Sequence, residues 1–554
     1  MISLKRFAQE LFFSGKILTK LRQIKSFEVG LFLSVFVVSL FLNFATQKYS
    51  VPNTDSNQTD LFSDLLTKNQ TLRYHNPINS RYGIPIFGIR GLLNFGNDYF
   101  VSSASPGAIV IQALFKFANL SAFFINPIFV VIGLYFFNKI VNIFIFNNRF
   151  WSLVTTAIYF FSGAFIFVSS LPFKDLVATA TFFAGLYYIL NGAYDKKAIN
   201  FALFGVLASV TMCMSYPNVM FYLPAVAFYL FTIRNEILER QNLRNLTITF
   251  IFFFPLFISL YLYQVWSFDG FLNFNSPVFR LNHYEEFAVQ SNISSFLLNV
   301  NIIKLLTNFW NQFFLVNVIL ISFSVSGFLY VIFDCIKRKK ANKVLLVLLA
   351  LVAMQFLFYL GKDWSGVTFK GSAGTSYSRY LLISWGVLII LSVGAVKRMV
   401  NALNIGYASK RTVLTLIFIC LVFSGLISGL YSSMAVISFI ETSEWANELR
   451  NDIIENTPKN SIIFTSFYDK YIYPVRQTAI YVAIPEEERL NKTMYLMKEL
   501  LEDGYSVYIV DERDGYAISP VLNKDAFEEN QLETEMAFRA AHTMDFYRIT
   551  PSEN

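Results

Sequence analysis

Long apolar runs separated by short charged segments fill the chain as far as residue 432. A helix that crosses a bilayer needs about 20 mostly apolar residues. Runs of that kind lie at 27–45, 125–146, 151–170, 176–192, 198–214, 217–233, 247–266, 313–333, 344–360, 380–396 and 412–432. They predict a mainly α, polytopic membrane helix bundle of about eleven spans.

Loop charge tests that count, because Lys and Arg concentrate in cytoplasmic loops. Lys5, Arg6, Lys16, Lys20, Arg22 and Lys25 precede the first run. Every second loop after it is basic: Arg149, then Lys196 and Lys197, then Arg234, Arg240 and Arg244, then Lys337 to Lys343, then Lys397, Arg398, Lys410 and Arg411. This alternation predicts a multi-pass protein of the cell membrane with a cytoplasmic N-terminus and an extracytoplasmic C-terminus. The first run lacks a small-residue cleavage site, so it is expected to remain as a signal anchor.

The apolar stretch 106–120 breaks the alternation if it spans. It is short and contains Lys116. It is therefore expected to be a juxtamembrane or re-entrant helix within a long first outer loop, 46–124. Two further outer loops are long, about 267–312 and 361–379.

The pattern changes near residue 441. SIIFTSF and YSVYIVD read as strands and EEERLNKTMYLMKELLEDG as an amphipathic helix with a Gly stop. The expected organisation is a cytoplasmic tail (1–26), a membrane domain (27–440) and an extracytoplasmic α/β domain (441–554).

Composition agrees with the pattern. Only 15% of residues are charged, against about 25% in soluble domains. The net charge of +8 is explained by the orienting loops, so no nucleic-acid partner is expected. Cys213, Cys335 and Cys420 lie in or beside apolar runs, and His75, His283 and His542 are far apart. Neither a disulfide framework nor a zinc site is expected. Walker A, GxGxxG and HExxH motifs are absent, so no nucleotide cofactor is implied. Need for a divalent cation is left open.

The polar residues with chemical potential cluster at predicted outer helix ends. Asp55, Asp60 and Asp64 follow the first span, and the last two share a helix face. They read either as a solvated amphipathic helix or as a general base or metal ligand. Asp175, beside Lys174, opens the fourth span. It is either an N-cap or a functional carboxylate, because charge at an apolar helix mouth is costly. Arg379 and Tyr380 open the tenth span, as an interfacial anchor or as a phosphate contact. His283, Glu285 and Glu286 read as ordinary loop polarity or as the lining of a cleft.

This arrangement resembles the GT-C superfamily of glycosyltransferases, in particular its protein O-mannosyltransferase and aminoarabinose-transferase branch. The family has an Asp shortly after the first span, followed by a helix; TDSNQTDLFSDLL is similar, with Asp55 first by spacing and Asp60 second. SSASPGAIVIQALF resembles its juxtamembrane segment, Asp175 in LPFKD its Asp at the fourth span, and Arg379–Tyr380 its late Arg-Tyr. Ser56 stands where the family often has Glu.

The resemblance implies transfer of a sugar from a polyprenyl-phosphate donor to an acceptor hydroxyl on the outer face, by inverting displacement. Asp55 or Asp60 would be the base; Asp175, Lys174, Arg379 and Tyr380 would bind substrate. The expected partners are a lipid-linked sugar donor, membrane lipids and a protein, lipid or glycan acceptor. The alternative is a non-enzymatic flippase, transporter or assembly subunit.

Overall fold

The structure, a computed structural model, describes residues 26–47, 54–82, 86–88, 92–94, 99–102, 105–170, 174–268, 300–314, 316–338, 342–361, 379–403, 405–431, 436–466, 468–473, 475–481, 484, 486–512 and 518–552. Its principal helices are α1 (Ser26–Gln47), α2 (Thr54–Asn69), α3 (Pro106–Phe117), α4 (Ile125–Ile140), α5 (Arg149–Phe160), α6 (Gly163–Ser169), α7 (Lys174–Asp195), α8 (Ala198–Met214), α9 (Leu223–Thr232) and α10 (Arg240–Phe268). They continue with α11 (Ile302–Phe309), α12 (Val318–Arg338), α13 (Lys343–Gln355), α14 (Leu382–Ala402), α15 (Tyr407–Tyr431), α16 (Val436–Asn456) and α17 (Glu486–Glu502).

Among the described residues, eight helices are long and apolar enough to cross a membrane, and the bent pair α5–α6 makes a ninth. The remaining two predicted spans coincide with shorter apolar helices, Ala198–Met214 and Asn218–Thr232. The chain is a multi-pass membrane protein. The stretch 106–120 forms the short helix α3, with Pro106 at its first position, where a missing N–H costs nothing.

Helices α7 and α14 are mostly buried and form the centre, whereas α10 is largely exposed and lies at the periphery. Small residues let the central helices approach closely. A side chain on Gly133 of α4 would lie 3.1 Å from the Ala180 backbone of α7.

The run 151–170 is not one straight helix. It bends by 64° between α5 and α6. The last carbonyls of α6, where the helix stops short of α7, must find other partners in a dry interior. Here Asn43 donates to the Ser169 carbonyl at 2.6 Å, Asn126 donates to the same oxygen at 3.3 Å, and Thr46 donates to that of Ser170. The end of α1 is thereby tied to the segment leading into α7.

The C-terminal unit is a five-stranded sheet. Its strands are β4 (Ser461–Thr465), β5 (Gln477–Ile480), β6 (Ser506–Val510), β7 (Leu532–Ala540) and β8 (Met544–Pro551), in spatial order β5-β4-β6-β8-β7. A small sheet in the first long loop supplies β1 (Tyr74–His75), β2 (Leu92–Asn94) and β3 (Tyr99–Ser102). Strands β5, β4 and β6 run parallel. Their apolar residues are continuous because helices cover both faces. Ile462 and Phe464 pack with Met494, Met497 and Leu500 of α17, while Ile463 packs with Leu449 and Ile453 of α16. The antiparallel β7–β8 hairpin was not anticipated, because its mixed polar sequence lacks a clean apolar alternation.

Residues 86–88 of the first long loop join this sheet beyond β5. Ile480 N–H donates to the Ile86 carbonyl at 2.9 Å and Gly88 N–H to that of Thr478 at 3.0 Å. Asn76 and Asn79 both donate to the Phe87 carbonyl, and Phe87 N–H donates back to Asn79. Phe87 and Ile86 are buried in the α/β core. The loop and the C-terminal unit therefore share one core at one end of the bundle.

Candidate active site

The fourth expected span begins as α7, whose first turn carries Asp175. A carboxylate there meets the positive end of the helix dipole. Asp175 is only 2% exposed and Arg379 8%. The Arg379 Nε lies 3.6 Å from Asp175 Oδ2. That distance is an ion pair rather than a hydrogen bond. The neighbouring Tyr380 ring lies 5.4 Å from the guanidinium carbon, within cation–π range. Tyr380 stacks in turn on Tyr359, at 5.1 Å and 12°.

The start of α14 is held from below. Gln355 Nε2 donates to the Tyr380 carbonyl at 3.4 Å, and Ser384 donates to Gln355 Oε1 at 2.6 Å. Tyr159 of α5 donates to the Leu382 carbonyl at 2.7 Å. Asp175, Arg379 and Tyr380, distant in sequence, thus form one cluster at a mouth of the bundle. Lys174 is half-buried on the same first turn and makes no ion pair among the described residues.

Asp60 has another environment. It is exposed, and it accepts from Lys116 Nζ at 2.6 Å and from Gln112 Nε2 at 2.9 Å. Asp64 pairs with the same lysine and, at 2.8 Å, with Lys68. The two carboxylates clamp α2 onto α3. Asp55 lies in the first turn of α2; its side chain is outside the described residues, as are His283, Glu285 and Glu286. That turn is fixed on two sides. Asn57 donates to the Lys470 carbonyl of the α/β unit at 3.1 Å, and Ser102 donates to Gln58 at 2.8 Å.

Burial alone would raise the Asp64 carboxyl, but hydrogen bonds from Lys116 and Lys68 outweigh it and hold the group below its ordinary value. A carboxylate held low in the folded state stabilises it above the ordinary carboxylate range and loses that contribution as pH falls through and below it. Amide exchange in α2 is therefore expected to accelerate on acidification. Lys116→Ala should mimic the effect at neutral pH by about 1 kcal/mol or less, because the pair is partly solvated.

An apolar cavity of about 280 Å³ lies between α11, α12, α13 and α14. Phe309, Phe328, Leu349, Phe356, Leu388 and Leu391 line it. Its one hydroxyl, Ser324, is committed to the Leu320 and Leu388 carbonyls at 2.8 Å each. Phe356 of this lining is one turn from Tyr359, which stacks on Tyr380. Among the described residues, no three His, Cys, Asp or Glu side chains gather as a metal site.

Sequence reasoning missed Tyr359, Gln355, Asn43 and Asn126. The signal available was a polar side chain inside an apolar run, which is expensive unless it is satisfied.

Neither a family model nor a curated protein sequence matches the chain. Solved structures do. The chain superimposes on ArnT from Cupriavidus metallidurans bound to undecaprenyl phosphate, with TM-score 0.55 and 10% identity over 95% of this chain and 98% of that one. The apo state of the same protein matches with TM-score 0.55 and 9% identity over 94% and 97%. The fold is therefore ArnT-like across nearly the whole chain, as the GT-C resemblance implied.

Proposed function

We propose that the chain is a membrane glycosyltransferase. It takes a sugar from a polyprenyl-phosphate donor and transfers it to an acceptor hydroxyl at the extracytoplasmic face. The observation that carries this reading is the buried Arg379–Asp175 pair at the start of α14, a helix that also lines an apolar cavity, in a fold shared with a protein solved with undecaprenyl phosphate.

The parts suit that donor chemically. A guanidinium matches phosphate oxygens in a bidentate fork, and the cavity accepts isoprene units. The phosphate is the leaving group. The acceptor oxygen attacks the anomeric carbon, the bond from that carbon to the phosphate oxygen breaks, and the electron pair stays on the phosphate. Arg379, with Lys174 beside it, stabilises that charge at a low-dielectric boundary, where fixed cations act most strongly. Asp175 holds Arg379 in place. Asp55 takes the hydroxyl proton. A single displacement inverts the anomeric centre.

The test is purified protein reconstituted in closed lipid vesicles with undecaprenyl-phosphate-linked sugars. Sugar release or transfer, with undecaprenyl phosphate as product, is the expected result. Lipid flux across the bilayer without release would instead favour a carrier.

A further inference from the structure

Gln312 is 3% exposed, and neither its amide nitrogen nor its amide oxygen finds a hydrogen-bond partner among the described residues. It sits in the wide helical turn Trp310–Phe314 that continues α11. Such turns are rare and recur at functional sites. A primary amide with both ends unsatisfied is expensive to bury. Asn308 nearby donates to the Leu360 carbonyl at 2.8 Å, and Gln355 and Ser384 serve the Tyr380 turn. The Asn317 amide nitrogen also lacks a partner among the described residues, but its oxygen accepts from Leu320 N–H and Ser424, so Gln312 has both ends unmatched.

The amide faces the bundle. Ile302, Ile303, Leu306 and Trp310 form the outward stripe of this segment and are exposed, whereas Asn308, Gln312 and Phe313 are buried. Phe309, one turn before Gln312, lines the apolar cavity. Phe313, directly after it, packs on Phe356 at 5.2 Å and on Trp385 at 4.8 Å. Gln312 therefore lies near the level of Phe356–Leu360, close to where Tyr359 stacks on Tyr380 beside Arg379.

We infer that Gln312 binds the sugar ring of the lipid-linked donor and contributes to choosing it. The inference rests on the proposed donor chemistry. Its basis is the unmatched pair of functions, one donor end and one acceptor end. Phosphate ester oxygens only accept, so they would satisfy the nitrogen alone. Neighbouring sugar hydroxyls donate and accept, so they satisfy both. Sites built to hydrogen-bond a hydroxyl discriminate strongly against a ligand that lacks it.

Full-length Gln312→Met and Gln312→Leu in nanodiscs test this. Each would be titrated with undecaprenyl phosphate and with a panel of undecaprenyl-phosphate hexoses, N-acetylhexosamines and aminopentoses, read by native mass spectrometry. Wild type should prefer one sugar-bearing lipid over undecaprenyl phosphate. Both variants should bind undecaprenyl phosphate within about twofold of wild type and lose about tenfold in affinity for the preferred donor, the worth of about one hydrogen bond. Their melting temperatures should equal or exceed that of wild type. Unchanged donor affinity in either variant would overturn the assignment. So would a lowered melting temperature in both, which would mark the amide as structural. Wild type that binds undecaprenyl phosphate but favours no sugar would remove this inference and leave the lipid site standing. Wild type that binds no lipid of the panel would remove both.

Discussion

Asp55→Asn is expected to lower sugar transfer by about 10³-fold while undecaprenyl phosphate binds as before, the signature of losing a general base without losing the donor site. The first turn of α2 that carries Asp55 is pinned independently, through Asn57 to the α/β unit and through Gln58 to Ser102. Replacing a carboxylate by its isosteric amide should leave that framework intact. Asp60→Asn is the matched control. Asp60 is exposed and already spent on Lys116 and Gln112, so its loss should loosen α2 and leave most of the transfer rate. Single-turnover transfer with both variants decides the assignment. Full activity in Asp55→Asn together with an inactive Asp60→Asn would reverse it.

Arg379→Met should be more damaging to the molecule as a whole. It strips Asp175 of its cation at a site where the carboxylate is 2% exposed. Breaking a buried ion pair from one side costs about 3–5 kcal/mol, because the remaining charge is buried alone. The variant should also lose about 100-fold in undecaprenyl phosphate affinity, the scale for truncating one partner of a buried charge interaction. The double variant Arg379→Met, Asp175→Leu separates the two effects. Apolar replacement of both partners is often neutral, so thermal stability should return while lipid binding does not. Recovery of binding along with stability would place the phosphate contact elsewhere.

The membrane reading depended on local features and was legible for that reason. Hydrophobic runs must match bilayer thickness wherever they occur. Shortness, Lys116 and the alternation of basic loops demoted 106–120 from the list of spans, and α3 is the short helix expected there, with Lys116 paired to Asp60 and Asp64. The strands SIIFT and SVYIV were legible because apolar cover on both faces imposes a continuous apolar run. The bend between α5 and α6 was not legible. Nor was the end of α6, whose Ser169 and Ser170 carbonyls are satisfied by Asn43, Thr46 and Asn126, which lie far away in the chain.

The candidate site divides in the same way. The sequence by itself determined that Asp55 and Asp60 follow the first apolar run and that Lys174, Asp175, Arg379 and Tyr380 stand at or near the starts of later ones, because hydropathy locates the ends of spans. Only the tertiary structure decided which of them meet. It paired Arg379 with Asp175, turned Asp60 toward Lys116, set residues 86–88 against β5, and left the Gln312 amide buried without a described partner. Those outcomes depend on how helices cross and where broken backbone finds its hydrogen bonds. Such long-range contacts leave no period in the chain.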